Sequence, residues 1–143
     1  MNRPHKFLAL GRLKPGQMNK GESAYAQHLD ILKRSGAVLW WRFEGIKLRL
    51  ADNTFYTPDF AVLAGDSVME CHEVKGFWQD DARAKIKIAA DLYPFRFKAL
   101  RVKAKKHGGG WDEEDFSRVE VEPLEAQQVA MVLPVREMAA DPF

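Results

Sequence analysis

Asp59, Glu73 and Lys75 are the residues of this chain whose types and spacing could do chemistry. In a strand, residues two apart project to one side, so Glu73 and Lys75 place a carboxylate and an ammonium together. Asp59 lies on the preceding strand, and the tight turn at Gly65-Asp66 makes the two strands antiparallel neighbours. Pairing around that turn sets residues whose numbers sum to about 131 or 132 opposite each other, so Asp59 faces Glu73 or Cys71. Two carboxylates meeting on one face raise each other's pKa, and a divalent cation would relieve the repulsion. Hard oxygen ligands with few protein contacts suit magnesium or manganese. Such an ion on Asp59 and Glu73, with the Val74 backbone carbonyl as a third ligand, could activate a water and neutralise charge developing on phosphorus, as phosphodiester hydrolysis requires. Lys75 could orient or deprotonate that water, or stabilise the transition-state oxygens. The competing reading is a surface salt bridge of Lys75 with Asp59 or Glu73, a pair that contributes only about 0–1 kcal/mol.

The elements that must position these residues are legible in outline. The spacing of Tyr25, Leu29 and Leu32 predicts a helix from about Asn19 to Ser35, closed by Gly36. Glu22, three residues before Tyr25, falls on the same face. An inward carboxylate is costly unless compensated, which marks a site; alternatively, Glu22 suits the helix dipole as a first-turn acid. Strands are expected at Val38–Phe43 and Ile46–Leu50 around a Glu44-Gly45 hairpin, then at Phe55–Ala64 after a turn at Asp52-Asn53, and at Val68–Lys75. Asp80-Asp81 can cap a helix to about Leu92 with Ile86, Ala89 and Tyr93 on one face, ended by Pro94. Phe95–Val102 is the last strand. The order is α-β-β-β-β-α-β, an α/β fold with a mixed sheet flanked by helices in one domain. Trp40 and Trp41 point to opposite faces and are read as covering the sheet or a dimer partner. His28 and His72 could be ligands, but alternation turns His72 away from Glu73, to be packed or exposed.

Length and composition suit one domain of an ordinary globular protein. No run reaches the roughly 18 apolar residues of a membrane helix. The lone Cys71 excludes an internal disulfide and a cysteine-based zinc cluster, and a cytoplasmic protein is expected. Net charge is +2 but uneven: residues 1–110 carry 20 Lys/Arg against 11 Asp/Glu, and residues 111–143 carry 2 against 9. Residues 1–18 read as a basic arm, 19–105 as the core, and 106–143 as a glycine linker with an acidic tail, in which a short helix is expected at Leu124–Leu133. A basic body suits a polyanion, although solvated surface explains the same charges. Lys20, Lys47, Arg49, Arg83, Lys85, Lys87, Lys103, Lys105 and Lys106 would form a phosphate-tracking groove if they converge around Asp59. Phe77 and Trp78, just after Lys75, could stack on an unpaired base.

Thr57-Pro58-Asp59-Phe60 followed by Glu73-Val74-Lys75-Gly76 resembles the PD-(D/E)XK nuclease superfamily, which includes restriction enzymes, Holliday-junction resolvases and phage recombination nucleases. The wider run, from Gly21-Glu22 through Trp40-Trp41 and Tyr56 to Phe77-Trp78, resembles small phage-encoded nuclease-like proteins, and the resemblance spans about residues 18–105. It implies a restriction-endonuclease-like core and a magnesium- or manganese-dependent deoxyribonuclease with Asp59, Glu73 and Lys75 in catalysis and Glu22 completing the metal site. It further implies DNA, branched or single-stranded, as partner, a role in phage recombination or junction processing in the host cytoplasm, and a homodimer. Some branches use a glutamine or lysine of the second helix; here Gln79 precedes that helix and Lys85 is the stand-in. The rival readings are a DNA-binding protein that keeps the fold without chemistry, and a protein-binding adaptor. The charge reversal after Gly108-Gly109-Gly110 suggests that the segment from Trp111 to Phe116 competes with DNA for the basic groove, so that deleting 111–143 would tighten binding.

Overall fold

The computed structural model describes residues 16–76 and 80–117. The arm up to residue 15, Phe77, Trp78, Gln79 and the expected helix at 124–133 lie outside the described residues.

Helix α1 (Lys20–Ser35) begins where the Asn19 side chain accepts the Glu22 backbone N–H at 2.8 Å and the Glu22 carboxylate accepts the Asn19 N–H at 2.8 Å. This reciprocal cap satisfies two of the donors a helix start leaves open. Gly36, at φ 85°, closes the helix in the left-handed conformation. Strands β1 (Val38–Phe43), β2 (Leu48–Ala51), β3 (Thr54–Tyr56), β4 (Phe60–Ala64) and β5 (Met69–Val74) follow, then helix α2 (Asp80–Leu92), β6 (Arg96–Val102), a short 3₁₀ turn at Lys105–His107 and β7 (Trp111–Asp115). The main sheet has the order β1-β4-β5-β6-β7, with β5 and β6 parallel and the other pairs antiparallel. β2 and β3 form a separate two-stranded ribbon. The protein is therefore a mixed α/β fold with a five-stranded mixed sheet and two helices.

α1 covers one face. Tyr25, Leu29, Phe60, Val62 and Leu100 are buried together there, and the Phe60 ring meets Tyr25, Trp41 and Phe43 at centroid distances of 5.3, 5.7 and 5.3 Å. Trp41 also donates its indole N–H to Asp30 at 2.9 Å, tying β1 to α1, whereas Trp40 on the other side is partly exposed. α2 and the ribbon cover the opposite face, where Leu48, Tyr56, Cys71, Ile86, Ala89 and Phe97 are buried.

Three expectations are corrected. Glu44-Gly45 is not a hairpin: β1 pairs with β4, and β2 with β3. Glu44 adopts φ 49° and donates its backbone N–H to the Asp59 carbonyl at 2.7 Å, while Gly45 passes so close to Arg42 that a Cβ would lie 2.9 Å from its side chain. The chain is thereby turned out of the sheet, and the true hairpin is the one at Asp52-Asn53. Second, Phe55–Ala64 is not one strand. It breaks at Thr57-Pro58, where a fully buried proline without an N–H cannot continue a ladder, and the chain switches from the ribbon to the main sheet. Third, Trp111–Asp115, read from sequence as the start of the acidic tail, is the edge strand β7. Trp111 packs edge-on against Tyr25 at 5.0 Å, and the acids pair with cations of the sheet and α2: Glu113 with Lys98 at 3.2 Å, Asp112 with Lys103 at 3.6 Å, and Glu114 with Arg83. The order is thus α-β-β-β-β-β-α-β-β. Among the described residues no helix is long and apolar enough to cross a membrane.

Because β7 belongs to the sheet, deleting 111–143 removes core packing along with charge. A chain ending at Gly110 should be destabilised by about 3 kcal/mol or more, the scale of losing a packed tryptophan. Urea denaturation of the two chains checks this, and equal midpoints would show that β7 stands apart from the cooperative core.

Candidate active site

Asp59 sits one residue before β4 and Glu73 one residue before the end of β5. The register pairs Phe60 with His72 and Ala61 with Cys71, so residue numbers sum to 132 and Asp59 falls opposite Glu73. Of the two partners left open by the sequence, Glu73 is the one obtained. Strand alternation turns Phe60 and His72 toward α1, and Asp59 and Glu73 toward the opposite layer. Buried Pro58 fixes the approach to Asp59, whose Oδ2 accepts the Val74 N–H at 2.8 Å. Lys75 leaves the strand but keeps its backbone fixed, donating its N–H to the Leu100 carbonyl at 2.9 Å, and its Nζ lies 3.2 Å from Glu73 Oε2. The salt bridge of the competing reading is therefore made. It is not a surface pair, however, because Glu73 is only 5 % exposed.

These groups open into a cleft of about 600 Å³ that is also lined by Glu22, Glu44, Tyr56 and Lys85. Burial and the adjacent Glu73 push the Asp59 carboxyl up to about 8, against the opposing pull of the Val74 N–H and Lys75. The Glu22 carboxyl is raised as well, first by burial and then by Asp59 and Glu44, with the Asn19 N–H working the other way. Glu22 thus caps α1 in its first turn, and its half-buried side chain also lines the cleft. Glu44 was missed as a site residue because its place depends on the pairing of β1 with β4, which no local pattern announces. Tyr56 was missed for the related reason that β3 leaves the main sheet. Asp59 and Glu73 are the carboxylates placed to share an ion; among the described residues no three His, Cys, Asp or Glu side chains are grouped to hold a metal.

The nine basic residues proposed from sequence do not form one groove. Lys85 lines the cleft, with Nζ 3.3 Å from the Phe55 carbonyl, and Lys47 Nζ sits 4.5 Å from the Phe55 ring centroid at the cleft's rim. Lys20, at the first residue of α1, is exposed, as are Lys87 on α2 and Lys105 and Lys106 in the 3₁₀ turn. Arg49 pairs with Asp52 at 3.6 Å. Arg83 and Lys103 are held by the acids of β7, and Arg83 also lies over the Phe116 ring. A smaller cleft of about 290 Å³, with Arg83 and Arg101 in its wall, adjoins the first at Lys75.

His72 is buried, as one of its two readings required. Its ring lies 2.6 Å from the Tyr25 hydroxyl and 2.8 Å from Glu70 Oε1. Burial works to raise the Glu70 carboxyl, but the His72 hydrogen bond, Lys98 and Arg96 outweigh it and hold the group at about 2. This network lies on the α1 side of the sheet, away from Asp59.

Comparison of the chain with known protein families, with curated proteins and with solved structures finds no match. The resemblance noted above rests on the motif residues themselves.

The raised Asp59 carboxyl has a measurable consequence. Between about pH 4, the ordinary aspartate range, and about pH 8 the folded protein keeps a proton that the unfolded chain has lost. This group's contribution to stability is thus fully present below that window and is lost as pH rises through it. In buffer without divalent cations, Asp59→Asn should therefore melt above wild type at pH 8, and the gap should narrow toward pH 4. Thermal melts across that range test the claim; a variant that is less stable than wild type at pH 8 contradicts it.

Proposed function

We propose that the protein is a metal-dependent phosphodiesterase that cuts DNA, on a core of the PD-(D/E)XK type. The observation that carries this reading is the Asp59–Glu73 carboxylate pair, Glu73 buried and Asp59 half-buried, with the Lys75 ammonium beside it, in an open cleft. Like charges brought together out of water destabilise a fold, and apolar residues in their place would cost less. A site that retains them is suited to a cation. The donor set consists of hard oxygens, and magnesium or manganese takes one or two carboxylates while keeping several waters. Two acids without a third closing the set fit that preference. Bound between them, the ion would polarise a phosphate oxygen and make a nearby water more acidic.

The chain's own residues supply the rest. Asp59, oriented by the Val74 N–H, and Glu73, oriented by Lys75, would hold the ion, with the Val74 carbonyl as a further candidate ligand and Glu22 lining the same cleft from α1. The Lys75 ammonium stands where it can position the attacking water or stabilise oxygens that gain charge. Lys85 offers a phosphate contact from α2, the place where the resemblance calls for a helper lysine. A protein that merely bound DNA on this fold would gain nothing from four acids in its cleft, since without a cation those that are ionised repel phosphate. By the same resemblance, the substrates would be phage recombination or junction intermediates, cut by a homodimer.

With magnesium or manganese, the wild type should cut at least one of linear duplex, single-stranded and branched DNA. Asp59→Asn and Glu73→Gln should lose roughly 10³-fold or more in rate, and Lys75→Ala about 10²-fold, the scale of a lost electrostatic or acid-base group. A gel-based cleavage assay decides it: a wild type that leaves all three substrates intact refutes the proposal.

A further inference from the structure

Tyr56 ends β3 with its ring in the apolar layer beneath α2, among Leu48, Cys71 and Ile86, while its neighbour Phe55 points outward and is 40 % exposed. The Tyr56 side chain spans that layer and brings its hydroxyl to the floor of the cleft, where Glu73 and then Asp59 are the acids that most oppose its ionisation. The residue is 7 % exposed, and its buried hydroxyl lies beside the Glu73 carboxylate, near enough to feel it as a hydrogen-bond partner but outside normal hydrogen-bond geometry. Glu73 meanwhile is engaged by Lys75 and Asp59. A buried donor whose bond is poorly made forfeits part of the roughly 1–3 kcal/mol that an unpaired one costs, and phenylalanine would fill the same space without that cost. Burial in the core therefore does not account for the hydroxyl. Its place beside the two acids does, if those acids have a second arrangement in which a donor is needed.

We propose that Tyr56 is a positioning residue for Glu73: when a divalent cation is held by Asp59 and Glu73, the Tyr56 hydroxyl donates a hydrogen bond to the Glu73 carboxylate and fixes its plane. This rests on the cation site proposed above. The physical basis is general. A carboxylate that ligates a metal through one oxygen is free to swing about its last torsion unless something grips it, and carboxylate ligands are themselves usually hydrogen-bonded. Lys75 grips Glu73 from the solvent side of the cleft, being itself partly exposed. Tyr56 grips from the core side, on a rigid aromatic stem packed against Ile86 and Cys71, so its position is set by the α2 layer. The β2–β3 ribbon thereby becomes part of the site: pairing of Leu48 with Tyr56 fixes where the hydroxyl arrives.

The test is Tyr56→Phe in the full chain, titrated with manganese alone by calorimetry, without DNA, beside thermal melts. Manganese affinity should fall about 10- to 100-fold, the usual effect of removing a hydrogen bond to a metal ligand. The melting midpoint in cation-free buffer should stay level or rise, because a buried unpaired hydroxyl has been removed. A purely structural role would give the reverse, a lowered midpoint with affinity intact. If wild type and Tyr56→Phe bind manganese equally, the Tyr56 role is overturned and the cation site stands. If wild type binds no manganese, the cation site falls and the Tyr56 role with it.

Discussion

The pairing of β4 with β5 is the constraint on which the site depends. With Phe60 opposite His72, Asp59 reaches the level of Glu73 and points to the same layer. A slip of one residue would turn every side chain of β4 to the other face. Burial prevents it on both sides at once. Phe60 and Val62 are fully enclosed under α1, while Ala61 and, across from it, Cys71 are enclosed on the other side. The turn that joins the strands is pinned too: Asp66 accepts the Val68 N–H at 3.2 Å and pairs with Arg96 of β6 at 2.7 Å. The Val74 N–H then binds Asp59 directly, so the last step of the register is made by the acid itself. A hydrophobic requirement, that two covered faces keep their own residues, thereby fixes the separation of two charged groups that gain nothing from the core.

Two buried glutamates on one strand show how differently the fold treats charge. Glu70 faces the α1 side, where His72, Lys98 and Arg96 surround it, and its carboxyl is held far below the usual range. It behaves as an internal counter-ion that ties β5 to β6 and, through His72, to Tyr25 of α1. Glu73, three residues later on the opposite face, has one ammonium and a neighbouring Asp59 whose carboxyl is pushed the other way. The first arrangement is electrostatically complete; the second is short of positive charge. Buried acids are common enough in structural networks, so burial does not mark a site. The deficit does.

What could be read from the sequence was what local signals carry. The helix from Asn19 to Gly36 has both its stops and its apolar spacing in sight, and α2 has its apolar spacing and Pro94. The opposition of Asp59 and Glu73 follows from counting across one short turn. The failures come from longer range. Glu44-Gly45 has the composition of a hairpin turn, but β1 finds its partner beyond the ribbon, through a backbone bond from Glu44 to Asp59. Pro58 was noticed as half of a motif, not as the break that sends one strand into two sheets. Asp112 to Asp115 read as tail because four successive acids suit solvent; their cations, Lys103, Lys98 and Arg83, lie on other elements and turn the segment into a strand. Glu44 and Tyr56, which complete the cleft, could not be found before those pairings were known.

That same distribution of charge orders the events of the proposed reaction. The cleft presents Glu22, Glu44 and Glu73, joined by Asp59 once it loses its proton, against Lys75 and Lys85, so its acids oppose a phosphate. Basic residues nearer the strand ends are partly spent on β7 and cannot offset this. In the proposed reaction, phosphodiester binding at the centre would follow the cation or arrive with it, whereas contacts at the rim, from Lys47 just before the ribbon and Lys85 on α2, would be available beforehand. Those rim residues stand on or beside the two elements that share the layer with Tyr56 and carry no part of the central sheet. The sheet sets the distance between the acids, and on the proposed reading the layer above it would decide which nucleic acid is brought to them. Under that proposal, changes in the ribbon would alter substrate preference without disturbing the β4–β5 register that places the carboxylates.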